Sequence, residues 1–243
     1  MRNIFFGLLL VLSGCDAAAP ASTIDSGPPP GDPDASLVAD AGPPPCPTPE
    51  LACELDGPPD ATSSSPYTMD LADVSPAEGV DSIGLRLEGS IRSSMGTPCA
   101  TATDAAACMA ALEALPAPRW PRGFVNACAL PNICPADLVV TRGDEVFVVE
   151  DAATMLEVLG TIDTLTEAAL IVLATRPPSG PPESGYDVTA VARAGDDFDV
   201  IAGYLGAGCF PIIQRSVRLR VEATGTIAAS CDHMTYCVAD SCI

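Results

Sequence analysis

The sequence predicts an α+β fold: a single disulfide-stapled domain in which about three helices pack on a mostly antiparallel sheet, preceded by a disordered tether. Three observations predict it. Short runs alternate apolar and polar residues and are joined by Gly- and Asp-containing turns, the signature of half-buried strands in hairpins. Three apolar stretches of helical length each begin at an Asp or Thr able to cap a first turn. Eleven cysteines in 243 residues, with only 5% aromatics, describe a chain that is cross-linked rather than filled with large side chains.

At the N-terminus Arg2 supplies a positive start, and Ile4 to Leu12 forms an apolar core too short to cross a bilayer, which takes about 20 apolar residues. It has the length of a secretory h-region and is closed by Leu12-Ser13-Gly14-Cys15, with small residues at the cleavage point. This run resembles the lipobox of bacterial lipoprotein signal peptides, in which the Cys receives a lipid and becomes the new N-terminus. The resemblance covers residues 1–15. It implies a signal peptide over 1–14, lipidation of Cys15, the membrane as a partner through that lipid, and a place in the bacterial cell envelope, periplasmic or on the outer surface.

With Cys15 lipidated, ten cysteines remain: Cys46, Cys53, Cys99, Cys108, Cys128, Cys134, Cys209, Cys231, Cys237 and Cys242. An even remainder in an exported chain reads as a disulfide framework. Its connectivity stays open, since ten cysteines allow roughly nine hundred pairings. Neighbours such as Cys128 with Cys134, or Cys231 with Cys237, are plausible local pairs.

Residues 15–66 form the lipid anchor and tether. They hold 13 of the 25 prolines, with Gly, Ser, Ala and Asp, and no Arg. Such a composition buries too little apolar surface to fold and favours an extended chain. Cys46 and Cys53 interrupt it, either as a small local loop or as a clip onto the domain.

The domain is expected over 67–243. Ile83, Leu85 and Leu87 alternate with Gly84, Arg86 and Glu88, predicting a half-buried strand. Thr103-Asp104 caps a helix over 105–115, ended by Pro116. A Pro- and Cys-rich loop follows over 116–136. The strands 138–140 and 146–149 flank Arg142-Gly143-Asp144 as a hairpin. Asp151 starts a helix that Gly160 stops, and Asp163-Thr164 with Glu167 has capping-box spacing ahead of Ala168–Leu173. Strands over 186–193, 198–204 and 212–222 follow, the first two joined at Gly195-Asp196-Asp197. Thr226–Ser230 adds a short fourth, and the last dozen residues read as a stapled tail.

Charge and composition narrow the chemistry. All 11 basic residues are Arg, so Schiff-base chemistry, Ser-Lys hydrolysis and a Walker-type phosphate loop are excluded. The mature chain sets 32 acidic residues against ten Arg, a net charge near −22 that repels nucleic acid. No cofactor and no metal are expected. Cys231-Asp232-His233 has metal-ligand residue types, but the chain contains no C-x-x-C and an exported compartment favours disulfides there. No G-x-S-x-G elbow accompanies His233, the only histidine. Asp25-Ser26-Gly27 has the letters of an aspartic-protease motif but lies in the tether. Ordinary turn chemistry accounts for Arg142-Gly143-Asp144, and a solvated turn for Asp196, Asp197 and Asp199.

Two groups are candidate binding residues. Arg119, Trp120 and Arg122 combine the types most enriched at interface hot spots; a Trp tucked into a small core is the plainer account. Arg218 and Arg220 project together from a strand whose Val217, Leu219 and Val221 face inward. They offer a basic stripe to an anionic ligand, or they pair with Asp187 and Asp199 on neighbouring strands. The function expected is that of a lipid-anchored envelope protein whose domain binds or scaffolds a protein or small-molecule ligand of unknown identity, with catalytic residues unknown. The alternatives are a carboxylate-based hydrolase acting on envelope or environmental polymers, and a protease-inhibitor or toxin-like module.

Overall fold

A computed structural model describes residues 46, 48, 53–57, 59–62, 69–87, 89–118, 136–177, 185–207 and 212–238. In chain order they form β1 (Ala61–Thr62), β2 (Ser82–Leu87), β3 (Ser90–Gly96), α1 (Ala105–Glu113), β4 (Ala136–Arg142), β5 (Glu145–Val149), α2 (Ala152–Leu159), α3 (Leu165–Leu173), β6 (Asp187–Ala194), β7 (Asp197–Ala207), β8 (Ile212–Val221) and β9 (Ile227–Val238). The class is α+β, as predicted. The strands, all antiparallel, divide into two sheets rather than one: β3-β2-β4-β5 and β1-β6-β7-β8-β9.

Local chemistry sets the helix ends. Asp104 caps α1 by accepting from Ala107 N–H, and Asp151 caps α2 by accepting from Thr154 N–H. Gly160, at φ 75°, ends α2 in a conformation that L side chains rarely adopt. The capping box of α3 is complete: Thr164 Oγ1 accepts from Glu167 N–H, and Glu167 Oε2 accepts from the N–H groups of Thr164 and Asp163. Glu167 is fully buried, and its other oxygen accepts from Ser75 N–H at 2.6 Å. One carboxylate therefore ties the segment before β2 to the start of α3. Burial pushes its pKa above the usual carboxylate range.

From Glu167 to Leu173, α3 is buried on every face, which explains why Ala168 to Leu173 is apolar all round. It packs on β6, β7 and α2. One continuous core joins α2 and α3 to the inner faces of both sheets, through Ile83, Leu85, Leu138 and Val140 on one side and Val191, Phe198, Val200 and Leu219 on the other. By contrast α1 buries only Cys108; the Cys99–Cys108 disulfide and Asp144, which accepts from the N–H groups of Thr103 and Asp104, pin it in place.

Two expectations change. Every residue of β2 is buried, so its second face, with Gly84 and Arg86, is covered as well as its first. Arg86 is 6% exposed and forms a bidentate pair with Asp137, directly opposite on β4, at 2.8 and 2.7 Å. The C-terminal tail is largely strand: β9 runs to Val238. Two register shifts within its pairing with β8, at Gln214/Arg215 and Arg218/Leu219, break the period-2 pattern that would have announced it.

Candidate functional site: the strapped face of the five-stranded sheet

Core residues alternate with outward-facing ones along β7 and β8. Val217, Leu219 and Val221 point inward as expected, which leaves Arg218 and Arg220 on the outer face. Across this face lies the segment around Cys53–Thr62. Cys53 is bonded to Cys231 on β9. The Glu54 carbonyl and the Asp56 carboxylate accept from Arg218 on β8. Asp60 accepts from Arg193 N–H at 2.7 Å, and β1 then pairs with β6 at the far edge. A second disulfide joins Cys46 to Cys237, near the C-terminal end of β9. Of the two arrangements open for Cys46 and Cys53, the structure has the clip. We call this segment the strap.

The strap makes the local cysteine pair Cys231–Cys237 impossible. Six steps along an extended strand set the two about 20 Å apart, whereas the bonded pairs have Cα separations of 5.7 and 6.1 Å. Cys128, Cys134, Cys209 and Cys242 lie outside the described residues, as do Cys15, Arg119, Trp120 and Arg122.

Beneath the strap the charges are paired. Arg218 contacts Asp56 and Asp199, both at 2.6 Å, and Arg220 contacts Asp199 at 2.7 Å and Asp197 at 3.7 Å. Arg218 draws the Asp56 carboxyl below its ordinary range, and Asp56 with Asp199 holds the guanidinium more firmly charged. Asp199 meets the expectation of a cross-strand partner, because it stands opposite Arg220 in the ladder. Asp187 does not take that role: it pairs with Gly203, which lies opposite Ser216, too far along the sheet to reach either arginine. The strap's Asp56 takes its place. The buried Nε of Arg218 has no hydrogen-bond partner among the described residues. The stripe is thus basic in sequence and internally neutralised in the fold.

Cys231 and His233 project from β9 onto this same outer face, and their ligand-type atoms lie within 4.8 Å of each other and of Cys53 Sγ. Asp232, between them, serves the inner face, where it accepts from Tyr204 Oη at 2.9 Å and from Arg215 Nε at 2.7 Å. Tyr204 meets Tyr186 edge-to-face at a centroid distance of 5.6 Å. Burial first, then Tyr204 and Asp232, push the Tyr186 phenol up to about 12. A phenol whose pKa is raised on folding contributes stability that is complete below its unfolded value near 10 and lost as pH rises through about 12. An absorbance titration should therefore show one phenolate forming about two pH units late. Tyr186→Phe should remove that step and flatten the alkaline loss of stability.

The remaining motifs resolve into structure. Arg142 stacks 5.3 Å from the Phe147 ring, and the Asp144 carboxylate is engaged by Thr103 and Asp104, so the tripeptide is a turn that holds α1. Asp197 and Asp199 are occupied by the arginines. An open cleft between the β4–β5 hairpin and α2 is lined by Arg142, Glu145, Phe147, Thr154 and Glu157. Sequence reasoning missed Asp56, whose partnership with Arg218 spans 162 residues and leaves no local signal. Comparisons with protein-family models, curated proteins and solved structures find no match.

Proposed function

We propose that the chain is an exported lipoprotein, anchored through Cys15, that presents its α+β domain at the bacterial cell envelope as a binding or scaffolding module. The observation that carries this reading is the strap. Two disulfides fasten Cys46 and Cys53, in the distal part of the tether, to the last described strand, β9. Such bonds form and persist in oxidising, extracytoplasmic compartments. They also suit a domain that must stay attached to its anchor while it holds something else. The pairing of Arg218 and Arg220 with strap and sheet carboxylates supports a structural role for that face.

Labelling the full chain with radioactive palmitate in a bacterial host, followed by detergent phase partition, tests the anchor. Label and detergent-phase recovery are expected for the natural sequence and should both be lost in Cys15→Ala. A Cys15→Ala chain that still labels and partitions with detergent would remove the reading.

A further inference from the structure

The only histidine in the chain stands beside a cysteine pair. Cys231 and His233 are two residues apart on one strand, so their side chains share a face, and the strap delivers Cys53 to the same point. Two thiolates and an imidazole are a zinc donor set. While Cys53 and Cys231 are bonded to each other neither can serve as a ligand. Opening the bond would have to leave the sulfurs about 3.8 Å apart, the spacing that Zn–S bonds of about 2.3 Å impose at a tetrahedral centre. With the Cα atoms 6.1 Å apart, rotation about the two side chains supplies this over a fixed backbone.

In most disulfides, reduction would let the two strands of chain drift apart. Here Cys53 is also held without any disulfide, because the Arg218 contacts of Glu54 and Asp56, the Asp60–Arg193 bond and the β1–β6 pairing fix the strap that follows it.

We propose that Cys53, Cys231 and His233 form a latent zinc site that opens when a dithiol reduces the Cys53–Cys231 disulfide. The dithiol is oxidised to its own disulfide and its two electrons and two protons leave both cysteines as thiols. Zinc binding then releases those two protons and forms two Zn–S bonds and one Zn–N bond. The fourth position is left to water or an outside ligand, the arrangement of zinc centres with three protein ligands. The proposal stands apart from the anchor reading, since it concerns only the strap and β9.

The test uses the full chain, reduced with a dithiol that is then removed under anaerobic conditions, and zinc alone as the probe. Bound zinc is measured by elemental analysis and by competition with a chromogenic chelator, and alkylation followed by peptide mass mapping identifies the cysteines that zinc protects. We expect protection of Cys53 and Cys231, loss of that protection in Cys53→Ser, and a native far-ultraviolet circular dichroism spectrum in the zinc-loaded state. His233→Ala should weaken zinc binding by at least about tenfold, since even losing an outer partner of a ligand costs that much. Zinc that protects other cysteines, an affinity indifferent to His233→Ala, or a reduced chain that unfolds with zinc present would each overturn the proposal.

Discussion

Replacing all four strap cysteines with alanine should cost about 8 kcal/mol of stability, although removing either disulfide alone should cost only about 3. The inequality follows from nested loops. Cys46–Cys237 spans 191 residues and Cys53–Cys231 spans 178, so either one restricts almost the same length of unfolded chain. The first to close removes about 5 kcal/mol of loop entropy. The second closes only the short ring made by the seven steps from Cys46 to Cys53 and the six from Cys231 to Cys237, worth about 3. Reversible urea unfolding of the two pairwise variants and the quadruple variant measures this directly. The quadruple loss should exceed the sum of the two single losses by about 2 kcal/mol. Strict additivity would mean that ion pairs and β1, rather than the cross-links, hold the strap. With native stabilities of about 5–15 kcal/mol, the quadruple variant stands at the edge of folding.

Breaking the Arg86–Asp137 pair should be the most damaging change in the four-stranded sheet. Both side chains are buried and directly opposed, with two parallel hydrogen bonds. Asp137→Ala leaves a guanidinium in the interior with its partner gone, a loss of about 3–5 kcal/mol. At about 2–4 °C per kcal/mol for a domain of this size, the melting temperature should fall by roughly 10 °C. Removing both charges behaves differently. Arg86→Met with Asp137→Leu keeps the volume and deletes the desolvation cost of both ions, so that variant should melt near the natural protein or above it. A single substitution that melts normally would show that water reaches the pair.

The contrast between the two sheets explains what could be read in advance. Helix caps and tight turns are local, so Asp104, Asp151, the Thr164–Glu167 box and the turns at Gly143 and Gly195 are visible in a few residues each. Strands with one apolar face, β7 and β8, show through alternation. The missed elements lack that signal. β3 is a mostly polar edge strand that gains its place from β2, and β1 is two residues long and exists only because the strap ends there. The second covered face of β2 depends on Asp137, 51 residues away, so Arg86 looks like any outward charge. Of the candidate site, Arg218 and Asp199 are legible from strand parity. Asp56 and the cysteine connectivity are not, because both depend on where a tether-like segment lands after folding.

The Cys46–Cys237 bond also decides where a mechanical load would travel. In a chain tugged from its N-terminal side, tension ordinarily enters at the first folded residue and peels elements off in sequence. Here a pull arriving at Cys46 passes through a covalent bond to β9, across a sequence separation of 191. The strap beyond Cys46, the two sheets and the three helices then hang from that one strand as passengers. For any load applied on the N-terminal side of Cys46, the line of force into the domain runs along β9 and one pair of sulfur atoms.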